Sequence, residues 1–298
     1  PRIGNSEGAS VYTGDSISVY ANSHGFLGGE RDTHHSLSVS LIAGRGDGMQ
    51  RDYWYTSALS PDELEPGAAV GRRAAERAVA RLDPRPVPTG EVPVLFAPDV
   101  SRSLVGHLLA AASGGALYRQ ASFLLDKRGE RILPPWFQLV ERPHLPRGLR
   151  STSFDSEGVA TVDSDIIRDG VLARYLLSSY SARKLGLSST GNAGGAHNLE
   201  VAANARDLDE LVAGMRRGLL VTELMGQGVN YVTGDYSRGA SGYWVENGEI
   251  AYPVHEITIA GNLKDMFQGI EAVGADAYNY GAKTVGSILV NRMKVAGS

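Results

Sequence analysis

"YWVENGEIAYPV" (243–254) is the stretch that decides the fold class. Asn247-Gly248 is the pair that a two-residue type I′ hairpin loop requires, because both central residues must take positive φ. Apolar and polar residues alternate on either side, the period of a strand with one buried face. The stretch therefore predicts two antiparallel strands joined by a tight turn. "IIRDGVLARYLLSSYSARKLGL" (166–187) repeats the signal with Asp169-Gly170. Near the N-terminus, "SLSVSLIA" (36–43) alternates strictly, with Leu37, Val39 and Leu41 on one face and serines on the other. "GRGDG" (44–48) is turn chemistry, and "MQRDYWYTSA" returns as a second strand. The Arg45-Gly46-Asp47 tripeptide is accordingly read as a hairpin tip rather than an adhesion motif.

Helices are fewer. "GAAVGRRAAERAVARL" (67–82) is helical by its alanine and arginine content. "DLDELVAGMRRG" (207–218) places Leu208, Leu211, Val212 and Met215 on one face, with Asp207 as N-cap and Gly218 as the stop. "DPRPVPTGEVP" (83–93) carries four prolines in eleven residues. It is expected to be neither helix nor central strand, and marks a domain boundary. "VPVLFAP" (92–98) then reads as a short buried strand feeding a helix over 99–113. The expected fold class is α+β and strand-rich. A smaller hairpin-plus-helix domain (1–85) precedes a C-terminal domain (91–298) of antiparallel sheets or a barrel with a few helices.

The 298 residues contain 42% hydrophobic side chains, 37 glycines and no cysteine. Disulfides and thiolate metal sites are thereby excluded. A net charge of −4 and the lack of any dense Lys/Arg run give no electrostatic basis for nucleic acid as the main partner. No apolar run approaches the ~20 residues of a membrane-spanning helix, and "PRIGNSEGAS" has no signal-peptide pattern. A soluble, cytoplasmic protein is expected. The start at Pro1 points to a fragment or a processed chain.

The seven histidines offer little metal chemistry by spacing. "HEITIA" (255–260) begins like a zinc-protease motif, but it lacks the second histidine and alternates like a strand. His34 and His35 are adjacent in a strand and point to opposite faces. His107 sits in "LVGHLLAAASGGALYR" (104–119), on the helix that begins near Pro98, with Gly114-Gly115 seven residues on. Arg102 and Ser103 precede it and match no metal-ligand set. "GQGVNYVTG" (226–234) has G-x-G without the full dinucleotide fingerprint. A Ser/His/Asp triad remains open.

Three stretches are rich in glycine and polar residues: 151–161, 189–198 and 232–250. They serve either as tight turns at sheet corners or as the wall of a cleft that takes an extended peptide. In the second case Gly114, Gly115, Gly194, Gly195, His197, Asp235, Tyr236 and Arg238 are the candidate substrate-binding residues.

These stretches together resemble the TldD/PmbA family, in particular its PmbA (TldE) branch. The residues that carry the resemblance are "LVGHLLAAASGGALYRQASFLLD", "FDSEG", "LLSSYSARKLGL", "STGNAGGAHN", "LLVTELMGQGVN", "VTGDYSRGASGYWVENGEI" and "EITIAGNLKDM". It runs from "NSEGASVY" to "MKVAG" and leaves the family's N-terminal domain absent from this chain. The resemblance implies a subunit of a heterodimeric cytoplasmic zinc metalloprotease. That complex acts on extended or unfolded peptides, such as microcin precursors and an antitoxin, and an older label is modulator of DNA gyrase. The TldD-type subunit carries zinc on a helical H-E-x-x-x-H motif, with a cysteine near its C-terminus. Here the first His and the Glu fall on Arg102 and Ser103, His107 aligns with the second His, and "AKTVGSILV" (282–290) has no cysteine. The resemblance thus implies a vestigial His107, no metal or cofactor in this chain, zinc in a TldD-like partner, and no catalytic residue here. A homodimer is an expectation for the chain alone. The alternatives are an autonomous hydrolase using His107, His197 and Asp155 or Asp235, and a homo-oligomeric peptide-binding protein.

Overall fold

A computed structural model describes residues 2–278 and 280–297. Three strands open the chain: β1 (Ile3–Ala21), β2 (Leu27–Ala43) and β3 (Gln50–Ala58), an antiparallel sheet in that order. "GRGDG" forms the tip between β2 and β3 as expected, tightened into one 3₁₀ turn over Gly46–Gly48. Helix α1 (Gly67–Ala80) buries Val70, Ala74 and Ala78, one every four residues. Val70 and Ala74 of that stripe meet Leu37, Val39, Leu41 and Trp54 on the apolar face of β2 and β3. The period-two rule then sends Glu30, Asp32, His34 and Ser36 to the opposite face.

A barrel-like sheet follows. Its strands are β4 (Gly90–Phe96), β9 (Arg217–Met225), β10 (Asp235–Glu246), β11 (Glu249–Asn262), β12 (Ile270–Val273) and β14 (Ile288–Ala296). They run β11-β10-β9-β4-β14-β12, and β11 also pairs with β14, which closes a ring. Only β4 and β9 pair in parallel within it. At Gly242 in β10 a Cβ would lie 1.9 Å from the Leu220 carbonyl oxygen, so the β9–β10 bulge admits no side chain there. Asn247 and Gly248 both take positive φ, at 53° and 81°, and make the β10–β11 hairpin. Asp169 and Gly170 do the same, at 53° and 73°, between β6 (Ser164–Arg168) and β7 (Val171–Leu172).

A third sheet, in the order β13-β8-β5-β6-β7, adds β5 (Leu139–Glu141), β8 (Leu199–Val201) and β13 (Lys283–Thr284). Helices α2 (Pro98–Ala111), α3 (Gly114–Tyr118), α4 (Ser179–Leu185), α5 (Leu208–Gly214) and α6 (Leu263–Gln268) complete the chain. The main core joins the barrel, α2 and the third sheet through Phe96, Leu104, Leu108, Phe137, Ile166 and Trp244.

Two expectations need correction. Pro93 lies within β4, a strand with neighbours on both sides. The β4–β14 register slips between Val94 and Val92, and the β9 ladder begins only at Val94, so Pro93 sits at a bulge where no ladder N–H is needed. Helix α5 stops at Gly214 rather than at Gly218. Asp207 caps it as expected, accepting from the Glu210 N–H at 2.9 Å. Gly218 instead belongs to β9, where a Cβ would meet the Pro93 carbonyl oxygen at 2.7 Å.

Charged side chains join the first sheet to the barrel. Asp52 on β3 is 4% exposed and lies 3.1 Å from Arg77 Nε and 3.4 Å from Arg81 Nη1. Arg77 reaches on to Asp99 at 2.9 Å, and Arg81 to Glu223 on β9. Burial pushes the Asp99 carboxyl up despite Arg77 beside it. Burial disfavours the Arg77 charge, but Asp99 and Asp52 outweigh it and hold the guanidinium above its ordinary value. Asp52→Ala leaves the buried Arg81 and the partly buried Arg77 with one carboxylate each and should lower unfolding stability by about 2–3 kcal/mol in urea titration. Asp15→Ala, which removes only the exposed pair with Arg31, should leave the midpoint in place.

Candidate functional site

The polar face of the first sheet roofs a groove. One lobe, about 490 Å³, lies between Ser16, Ser18, Glu30 and Asp32 on the roof and the loops 149–156 and 193–197 beneath. A second lobe, about 550 Å³, runs under Asp32, His34, Ser36, Tyr55 and Ser57 and over Tyr280, Gly281 and Ala282. Asp32, Leu149 and Arg150 line both lobes, so the two adjoin. The tip of the β1–β2 hairpin is clasped to the floor. Glu30 Oε1 accepts from the Ser153 N–H at 2.8 Å and from the Thr152 hydroxyl. Phe26 packs edge-on against Phe154, with ring centroids 5.0 Å apart.

His197, Gly194 and Gly195 line the first lobe. Beneath them Glu141, 1% exposed, is the hub. Its Oε1 accepts from the His197 backbone N–H at 2.8 Å, from His197 Nδ1 at 2.9 Å and from Asn192 Nδ2 at 2.8 Å. Burial alone would push this carboxyl up, but the His197 bonds and Arg174 hold it below the ordinary carboxylate range. The pairing fixes the proton on Nδ1 and leaves Nε2 unprotonated while the ring is neutral. Asp155 also lines the lobe, yet its carboxylate is committed. It accepts from the N–H groups of Glu157, Val159 and Ala193 at 2.9, 3.0 and 2.9 Å, and so pins one floor loop to the other. Glu141 and Asn192 were not among the residues singled out from the sequence. The one available signal was a lone carboxylate ending the apolar strand "QLVE".

His107 lies elsewhere, on α2. Its Nδ1 shares a hydrogen bond of 2.9 Å with the Tyr231 hydroxyl, and its ring meets Tyr236 edge-on at 5.8 Å. Burial, then the nearby charges of Arg238 and Lys283, push its pKa down to about 4. His107 Nε2 and the Tyr236 hydroxyl are both buried without a partner. Arg102 donates to the Tyr55 hydroxyl at 2.7 Å, and Ser103 donates to the Val100 carbonyl at 2.7 Å. Among the described residues His107 is one imidazole near the cations Arg238 and Lys283, which does not fit zinc, an ion that takes about three protein ligands at a hydrolytic site. Among the described residues no group of three or more His, Asp or Glu side chains has metal-binding geometry.

The candidate residues therefore divide. Gly194, Gly195 and His197 share the groove, whereas Tyr236 and Arg238 surround His107. Asp235 is exposed at the end of β10, bonded to Thr233 and Asn262. Gly114 is a packing contact: a Cβ there would strike Ser181 Oγ on α4 at 2.2 Å. Gly115 lies beside it, against the Arg119 guanidinium. His255 sits on a strand, as its alternation predicts, and bonds Ser241 at 2.9 Å.

A strand-rich barrel, the helix bearing His107 and a polar groove under the first sheet make up the scaffold that carries the candidate residues. Residues 89–297 match the PmbA/TldA metallopeptidase C-terminal domain and residues 1–82 match its central domain, so the chain belongs to that family. It is 52% identical over 296 residues to the Escherichia coli O157:H7 protein named Metalloprotease PmbA, covering 99% of this chain and 66% of that one. The chain thus spans about two thirds of the length of the curated relatives it matches. A Bacteroides thetaiotaomicron structure described as a modulator of DNA gyrase superposes with a TM-score of 0.93 at 32% identity, over 97% of this chain and 66% of that chain. TldE from Thermococcus kodakarensis shares the fold, with a TM-score of 0.83 at 24% identity, over 94% of this chain and 67% of that chain.

His107 gives the site a pH signature. Its folded pKa of about 4 lies below the ordinary value of 6.5, so the unfolded chain binds its proton more readily between those values. The stability it contributes is complete above pH 6.5 and is lost as the pH falls toward 4. Between pH 7 and pH 5 the loss should be about 1 kcal/mol after discounting for partial exposure. Urea midpoints at the two pH values should fall less in His107→Gln than in the parent; equal falls would remove His107 as the cause.

Proposed function

We propose that this chain is the non-catalytic, PmbA/TldE-type subunit of a cytoplasmic metalloprotease, and that its zinc-bearing partner is a TldD-like protein. The observation that carries this reading is the chemistry at the metal motif. Arg102 and Ser103 stand where a ligand and a general base are needed; Arg102 Nη2 donates to Tyr55, and the Ser103 hydroxyl is spent on the Val100 carbonyl. The chain's contribution is then the groove, which accepts an extended or unfolded peptide. Its roof is polar, its floor loops are rich in glycine, and its two lobes adjoin at Asp32, Leu149 and Arg150. Residues 1–85 and 91–298 act as two units, with the groove between them. The chain alone pairs with itself. No helix among the described residues is long and apolar enough to cross a membrane.

A second reading, hydrolysis by this chain itself, draws on the Glu141–His197 pair beside the groove. Among the described residues no hydroxyl is hydrogen-bonded to His197 Nε2 to supply the nucleophile that such a mechanism needs. The two readings separate on the purified chain in zinc-replete buffer. Elemental mass spectrometry should find far less than one zinc per chain, and extended peptides should survive until a TldD-like subunit is added. Cleavage by the chain alone, abolished in His197→Ala, would establish the second reading and end the first.

A further inference from the structure

The floor loop that ends at His197 turns its hydrogen bonds inward. The Ala193 N–H goes to Asp155, the Gly195 N–H to the Asn192 carbonyl and the His197 N–H to Glu141. Beneath the loop the side-chain bonds run in one direction. Arg174 Nη2 donates to Asn192 Oδ1 at 3.3 Å, so the Asn192 amide nitrogen is the end that faces Glu141. Glu141 Oε1 accepts from that nitrogen, from the His197 backbone and from the His197 ring. A carboxylate that only accepts requires the ring proton on Nδ1, and the lone pair of the neutral imidazole then lies on Nε2. His197 is only 7% exposed. Among the described residues Nε2 takes no hydrogen bond, yet it is not sealed in without a partner as His107 Nε2 is. Nε2 is therefore open to the first lobe, which His197 lines. The negative charge behind the ring strengthens it as an acceptor. Two residues earlier Gly195 has a φ of 114°, and a Cβ there would meet nothing within 4 Å. The floor beside the imidazole is bare, so the backbone of another chain can come down to it.

We propose that His197 Nε2 accepts a backbone N–H of an extended peptide in the first lobe, and that Glu141 is the residue that positions it. The inference rests on the groove being the peptide surface, and the experiment separates the two. Equilibrium dialysis of the 298-residue chain uses a random eight-residue peptide pool, acetylated and amidated so that neither end is charged. In His197→Asn the amide nitrogen reproduces Nδ1 toward Glu141 and nothing reproduces Nε2. This variant should keep the parent's urea midpoint and bind the pool about ten-fold more weakly. In His197→Gln the amide reaches the position of Nε2 and leaves Glu141 short of the ring N–H. This variant should have the lower midpoint and recover most of the binding. In the parent, the nitrogen NMR resonance of His197 Nε2 should move upfield as the pool is added. A stationary resonance with the pool bound, or affinities that follow the urea midpoints across the two variants, would overturn the acceptor and leave the groove. Failure of the parent to bind the pool would overturn both. A pool that binds only with its N-terminal amine free would assign Nε2 to an ammonium and overturn the backbone assignment.

Discussion

Asp52 between Arg77 and Arg81 is the interaction on which the arrangement of the groove depends. It lies at the base of the first sheet, and the two arginines continue to Asp99 on α2 and Glu223 on β9. A buried ionic cluster gains little stability over a well-packed apolar one, but it has few satisfied geometries. Here those geometries fix the roof strands against the barrel. Trp54 and Tyr278 flank the cluster, with Arg73 3.9 Å from the Trp54 ring centroid. The groove has its width because this corner does not slide.

Local chemistry was legible and long-range chemistry was not. Asn247-Gly248 and Asp169-Gly170 announce their turns because few pairs take two positive φ values so readily. The alternation of Leu37, Val39 and Leu41 places one face of β2 against α1. Pro93 misleads because the bulge that accommodates it comes from the register with β14, about 200 residues away. Gly218 misleads in the same way: it reads as a helix stop, but the Pro93 carbonyl is what needs its bare Cα.

The candidate site divides on the same line. Gly194, Gly195 and His197 lie within one glycine-rich stretch, and the groove keeps them together. Glu141, which orders them, lies 56 residues upstream of His197. His107 and Tyr231 are 124 residues apart. Composition and spacing carry no record of such pairings, because they are made by sheet order rather than by chain order. Asp155 shows the converse. It has the residue type of a catalytic carboxylate, but three backbone N–H groups consume its lone pairs.

The β1–β2 ribbon reaches well past α1. Val11, Ile17 and Val19 lie bare on it, without a core beneath them. Its tip is held by Phe26 on Phe154 and by Glu30 on the 152–153 backbone and hydroxyl. A few contacts at the end of a long two-stranded arm act as a latch. Opening it leaves the arm's internal ladder intact and needs only that the tip release. The mouth of the first lobe is thus closed at one end by a handful of side-chain contacts and not by strand pairing.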